Sequence, residues 1–334
     1  MELFGFAVPH GDSFILATLL FIIGLIFISK GGDWFVDSAS YLAEATGIPK
    51  FVIGATIVSI ATTLPELLVS VRAAAEGSDQ MAIGNAVGSV TANTALIMGI
   101  SLTVLPSVID RKSFSFKGGL LMISGVLLWV LSSRGYLPKW SAFVLWAIFI
   151  IFTIDNLIEG KTKSEPSVKE KADKKQIGVK IVFFIIGALT TVLGAELLVG
   201  SGKAIAFKLG VSENIVGFTI VAVGTSLPEL VTTLTALRKK EASLSVGNIV
   251  GANIIDLTLI LPLCSVLKTD GALPVERTSL VFDFPVCVAA CAIAVVPAIL
   301  MGKFKRAQGI ILLGVYAAYL LFLVLNETGV LALA

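Results

Sequence analysis

The chain has 334 residues, of which 56% are hydrophobic and 14% charged, with a mean hydropathy of +0.96. A soluble domain carries about a quarter charged residues, so this composition excludes an ordinary globular enzyme and describes a polytopic membrane protein. The net charge of +2 gives no ground for a nucleic-acid partner.

In chain order, Met1 to Asp12 lacks the basic stretch that opens a signal peptide, so the first apolar run is expected to stay as a membrane helix. Apolar stretches of about 20 residues are long enough to cross a bilayer. Ten are expected, near 13–40, 50–76, 80–106, 116–133, 139–158, 177–205, 213–237, 242–267, 279–301 and 306–326. The only clear hydrophilic linker is 159–176, rich in Lys, Glu and Ser. It divides an all-α membrane protein into two five-helix repeats, residues 1–158 and 177–334. With the N-terminus outside, 18 of the 25 basic residues fall on the linker side of the membrane. Basic loops stay in the cytoplasm. The expectation is therefore a prokaryotic plasma-membrane protein with both termini outside and the 159–176 loop cytoplasmic.

The halves repeat at an offset of 163 residues without a gap. Gly31 meets Gly194, Asp33 meets Glu196, and Gly47 meets Gly210. Leu64-Pro65-Glu66-Leu67 meets Leu227-Pro228-Glu229-Leu230, and Gly84-Asn85 meets Gly247-Asn248. Five spans per repeat make the second copy enter from the opposite side, so the repeats are inverted. Many secondary transporters are built this way, with the ion site near the midplane.

The chemistry centres on Ser59-Ile-Ala-Thr-Thr-Leu-Pro-Glu66 and its echo, Ala222-Val-Gly-Thr-Ser-Leu-Pro-Glu229. A carboxylate inside an apolar span is expensive and marks function. The proline before it removes a helix hydrogen bond and frees carbonyls upstream, around Thr62 and Thr225. The third and eighth spans add Ser89 and Asn93, matched by Ala252 and Asp256. The convergent set is Glu66, Glu229, Asp256, Asn93, Ser89 and the Thr62/Thr63 and Thr225/Ser226 pairs. All its donors are oxygens, which suits Ca²⁺, Na⁺ or Mg²⁺ rather than Zn²⁺ or Cu⁺. Magnesium holds its waters and suits a dry cage less well than calcium.

The single His10 leaves no histidine zinc site, and Cys264, Cys287 and Cys291 offer no disulfide framework. Cys287 and Cys291 are expected to pack in a helical core. Asp155 and Glu159, at a cytoplasmic helix end, are expected to be solvated, and Asp283, shortly before Pro285, to be interfacial. Asp33 and Glu196 are candidates for helix packing or a gate.

These motifs resemble the cation/calcium antiporter superfamily, most of all its prokaryotic sodium/calcium exchangers, over essentially the whole chain. The resemblance implies ten helices and four ion positions in a diamond. Glu66 and Glu229 then hold Ca²⁺ with the Thr62 and Thr225 carbonyls. The sodium positions share both glutamates with the Ser59 and Ala222 carbonyls and with Thr63, Ser89, Thr225 and Ser226. Asn93 and Asp256 line the middle position, and the helices around Gly31 and Gly194 form a sliding gate pair. Two departures stand out. Ala252 replaces a serine, and Val90-Thr-Ala replaces the usual Asn-Ile-x. The glutamates of the proton-coupled branch are absent, since Ala86 and Ile249 follow the two Gly-Asn pairs.

The expected function is antiport of Ca²⁺ against Na⁺, in the direction of Ca²⁺ export, with the bilayer and the two ions as partners, no cofactor and no obligate protein partner. A proton-coupled cation antiporter is the alternative, because close carboxylates in a dry site repel one another and a bound proton relieves that. A cation channel fits the inverted, broken helices less well. An enzyme would need a nucleophile and base that the sequence does not offer.

Overall fold

A computed structural model of the chain describes residues 14–106, 109–163, 174–209, 224–268 and 271–327. Helix α1 covers Phe14–Thr46. The second span is broken, as α2 (Lys50–Ile53), a π-helical stretch (Gly54–Val58), α3 (Ser59–Thr62) and α4 (Leu64–Ala75). The third runs through α5 (Asp79–Thr91), a π-helical stretch (Ala92–Met98) and α6 (Gly99–Val104). Then come α7 (Arg111–Ser132), α8 (Ser141–Thr162), α9 (Lys174–Lys208) and α10 (Leu227–Arg238). Helix α11 (Ala242–Ile255), a π-helical stretch (Asp256–Ile260) and α12 (Leu261–Leu267) form one span. A last π-helical stretch (Ser279–Asp283) leads into α13 (Phe284–Met301), followed by α14 (Arg306–Glu327).

Among the described residues, eight helices are long and apolar enough to cross a membrane, or nine with the broken second span. The span expected over 213–237 is represented by α10, because 210–223 lie outside the described residues. Helix α8 extends to Thr162 and α9 begins at Lys174, so helix enters the expected linker from both ends. Two three-residue strands, β1 (Tyr136–Pro138) and β2 (Ala272–Pro274), pair antiparallel with Leu137 opposite Leu273. Strands that short carry no readable period-two pattern, and the expectation of pure helix passed over them.

Burial follows a clear plan. The most apolar 18-residue stretches of 79–104 and 242–267 are 72% and 83% buried and form the centre, while α1 and α9 lie at the periphery. Helix α1 has 33 residues, roughly 50 Å at 1.5 Å per residue, well beyond a ~30 Å hydrocarbon core. Small residues let α1 and α9 approach backbone to backbone. A Cβ added to Gly31 would lie 2.9 Å from the Gly187 carbonyl, and one added to Gly194 would lie 3.0 Å from that of Gly24.

The turn after α4 and the turn after α10 share a left-handed residue at matched positions, Gly77 (φ 82°) and Lys240 (φ 62°). Glycine adopts this conformation freely, whereas lysine is strained in it.

Candidate functional site: a buried oxygen cage

The second span breaks where the sequence places proline. Thr63 N–H closes onto the Ser59 carbonyl at 2.9 Å, and the next bond across the break runs from Leu67 N–H to the Thr63 carbonyl at 3.0 Å. Pro65 has no N–H, and no bond joins Glu66 N–H to the Thr62 carbonyl, which is left for another ligand. The axis bends by 45° here. On the second repeat Leu230 N–H bonds the Ser226 carbonyl at 3.0 Å, the matching bond. Glu66 and Glu229 thus both sit in the first turn of a helix whose second residue is a proline. A helix N-terminus favours negative charge.

Both carboxylates are fully buried, and among the described residues none of their four oxygens has a hydrogen-bond partner. The same holds for both oxygens of Asp256, for the Ser89 and Ser226 hydroxyls, and for both amide atoms of Asn93. Unpaired buried polar atoms are costly, and a cluster of them, nearly all oxygens, calls for a cation. The hydroxyls cross between the repeats. Ser226 stands beside Glu66, and Thr62 beside Glu229. Glu66 is within electrostatic range of both Glu229 and Asp256, yet among the described residues the three do not close into a single acidic metal cluster.

Asn93 lies in a π-helical stretch and its match Asp256 begins one. Such stretches re-aim side chains and recur at functional sites. Nothing in residue composition announces them.

The remaining expected ligands fall as follows. Thr63 donates its hydroxyl to the Ser59 carbonyl, so two expected sodium ligands lie against each other. Thr225 is half-buried at the head of α10. Ala222 lies outside the described residues. Gly31 and Gly194 both lie in the α1–α9 seam. Asp33 is ion-paired with Arg238, whereas half-buried Glu196 keeps an unpaired carboxylate oxygen. Ala252 is fully buried, and its methyl leaves Ser89 without a matching hydroxyl.

Three features were not anticipated. Asp155 and Glu159 are not simply solvated. Lys117, which is fully buried, reaches Asp155 at 3.1 Å and also pairs with Glu159, with its ammonium 5.4 Å from the Phe51 ring centre. A buried ammonium requires such partners, and the i, i+4 spacing of the two acids could have suggested a shared face. Asp283 is partly sheltered and accepts the Tyr319 hydroxyl at 3.1 Å. Asn248, noted in the sequence only as part of the repeat, accepts the Thr62 hydroxyl at 3.2 Å. Its signal was a repeat-matched amide inside an apolar span. Cys287 and Cys291 are buried, as expected.

Comparison with known proteins shows which family the chain belongs to. The chain matches the sodium/calcium exchanger protein family over residues 16–156 and 179–325. The chain belongs to that family. It is 32% identical to the sodium/calcium exchanger MaX1 of Methanosarcina acetivorans over 344 residues, spanning 91% of this chain and 97% of that protein. It is 33% identical to an uncharacterized membrane protein of Methanocaldococcus jannaschii, over 90% of this chain and 96% of the relative. Among solved structures, the sodium-calcium exchanger NCX_Mj superposes with a TM-score of 0.81 at 31% identity, covering 92% of this chain and 98% of that one.

Proposed function

We propose that this multi-pass membrane protein exchanges Ca²⁺ for Na⁺ by alternating access and works in the direction of Ca²⁺ export. The observation that carries the reading is the set of fully buried, unpartnered oxygens on Glu66, Glu229, Asp256, Ser89 and Ser226. Two glutamates neutralise one Ca²⁺ in a medium of low dielectric, and the Thr62 and Thr225 carbonyls complete its shell. Na⁺, with half the charge, uses the glutamates together with Ser59, Thr63, Ser89, Ala222 and Ser226. Asn93 and Asp256 line the middle position.

Ten helices in two inverted repeats fit the repeated boundaries. Helix α4 begins at 64 and α10 at 227, and α5 begins at 79 and α11 at 242, each pair 163 apart. Family matches on either side of the linker agree with repeats at 1–158 and 177–334. The basic residues support both termini outside and a cytoplasmic 159–176 loop. Gly247 and Gly251 are pressed against Phe51, Ala55 and Ser59, while their matches Gly84 and Gly88 meet nothing within 4 Å among the described residues. The α1–α9 pair, held by its own glycine seam, is the element that slides between conformations.

The test is ⁴⁵Ca²⁺ uptake into proteoliposomes under an imposed Na⁺ gradient, compared with a pH gradient. Na⁺-driven uptake by the wild type, lost in Glu66→Ala and Glu229→Ala proteins that remain folded, is the expected result. Near-normal transport by either variant would sink the site assignment, and uptake driven by the pH gradient alone would replace Na⁺ by H⁺.

A further inference from the structure

The two repeats differ at one matched pair of amides. In the first, Asn85 donates to the Ser70 hydroxyl at 2.9 Å and to the Glu66 carbonyl at 3.2 Å. Its match is Asn248, and the matches of Ser70 and Glu66 are Thr233 and Glu229. The equivalent bonds are missing there. Asn248 instead meets Thr62 of the other repeat at 3.2 Å, through one end of its amide. Among the described residues its other end has no partner, and neither has the Thr233 hydroxyl. Asn248 and Thr233 are both fully buried. These two unpaired groups are the ones that the first repeat joins.

We infer that Asn85 and Asn248 are positioning residues that exchange partners in each transport cycle. In the conformation seen here, Asn85 braces the backbone of Glu66 within its own repeat, and Asn248 crosses to Thr62. In the opposite conformation Asn248 turns to Thr233 and the Glu229 carbonyl, and Asn85 crosses to Thr225, the match of Thr62. The inference rests on the reading of the repeats as inverted halves that trade conformations when access alternates. Each conformation then contains one satisfied amide and one half-satisfied amide. The cost of unpaired buried groups is therefore the same on both sides, and neither conformation becomes a trap. The exchange also links ion binding to the movement. Thr62 stands beside Glu229, so releasing Asn248 from Thr62 changes the cage at the moment the second glutamate is braced.

Thr233→Val is close to isosteric and removes a bond made only in the opposite conformation. Ser70→Ala removes the matching bond from the conformation seen here. The experiment measures initial rates of Na⁺-driven ⁴⁵Ca²⁺ uptake, and their half-saturating Ca²⁺, in proteoliposomes of the full chain. For Thr233→Val the maximal rate should fall about fivefold, the size of one lost hydrogen bond, with no rise in half-saturating Ca²⁺. Thr233→Ser should restore the rate. The double variant Ser70→Ala/Thr233→Val should run faster than Thr233→Val alone, because the two conformations are again balanced. Simple packing damage adds, and gives the reverse order. A Thr233→Val protein at the wild-type rate, or a double variant slower than either single one, overturns the exchange of partners. Should Thr233→Val not fold, Ser70→Ala with Thr233→Ala and Thr233→Ser gives the same comparison. Wild-type vesicles without Na⁺-driven uptake would overturn the antiport reading beneath it, an outcome distinct from the others.

Discussion

Arg238, the last residue of α10, forms an ion pair with Asp33 on α1. Lys239 adds a second tie, 2.5 Å from Asp37. Together they fasten the peripheral α1–α9 pair to the helix that carries Glu229. The repeat-matched Glu196 on α9 keeps an unpaired oxygen, so the fastening is one-sided. Exposed pairs contribute about 0.2–1 kcal/mol, enough to shift a two-state balance by a factor of roughly 1.4 to 5. Arg238→Asp and Asp33→Arg should each change the initial ⁴⁵Ca²⁺ exchange rate by about that factor. The charge-swapped double variant should return it toward wild type. Single and double variants with additive effects would show that the pair does not bias the transport cycle.

The buried ammonium of Lys117 leads to a prediction about stability. Asp155, Glu159 and Ser113 surround it, with the Ser113 hydroxyl 3.1 Å away. Removing one partner of a buried pair leaves charge uncompensated and costs about 3 kcal/mol or more. Glu159→Ala should lower the thermal midpoint of the detergent-solubilised protein. Lys117→Met combined with Glu159→Leu should recover most of the loss, because apolar replacements remove the charge that needed solvating. A Glu159→Ala protein as stable as wild type would mean that Asp155 alone suffices.

The helical, membrane-spanning character of this fold was readable because the bilayer simplifies the problem. Each span needs about 20 apolar residues, so Glu66 and Glu229 stand out as exceptions and the 163-residue offset aligns them. The same simplicity hides the rest. Lys117 reads only as one of the basic residues on the linker side, since its position beside Phe51 and Asp155 depends on how α7 packs against α2 and α8. The π-helical turns at Asn93 and Asp256 arise from tertiary packing, with no residue signature of their own. Asn248 looked like a repeat marker because the bond to Thr62 joins residues 186 apart in the chain. Short strands such as β1 and β2 are decided by which loops meet.

Asp110, outside the membrane helices, gives a pH-dependent prediction. It caps α7 by accepting from Lys112 N–H at 3.1 Å, and it pairs with Lys163. The Lys163 hydrogen bond, partly offset by burial, holds its carboxyl below the ordinary aspartate value. A depressed carboxylate contributes stability that is present above its unfolded value, near 3.9, and is lost as pH falls through the folded value. Asp110→Asn keeps the capping oxygen and loses the charge. Its melting deficit should be small at pH 7, about 0.5 kcal/mol for so exposed a pair, and should close below about pH 4. A deficit that persists at low pH would assign the effect to the cap.

The last prediction concerns the coupling ion and the one hydroxyl that the cage lacks. Ser89 places a buried, unpartnered hydroxyl in the first repeat, and Ala252 places a methyl at the matched position of the second. If only protons were exchanged for Ca²⁺, the hydroxyls of Thr63, Ser89, Thr225 and Ser226 and the carbonyl freed at Thr62 would have no task at the site. They are suitable ligands for Na⁺. Losing one of them on one side weakens one sodium position and leaves the others. Weak sodium affinity is therefore expected of the wild type, and Ala252→Ser should strengthen it. One added polar contact is worth about 1 kcal/mol, so the Na⁺ concentration giving half-maximal Ca²⁺ release should drop several-fold. Half-saturating Ca²⁺ should change little, because Ala252 is the repeat match of Ser89, a proposed sodium ligand, and not of either glutamate. If wild type and Ala252→Ser both ignore Na⁺ and respond equally to an imposed pH gradient, the hydroxyls serve the fold and the exchanged ion is the proton.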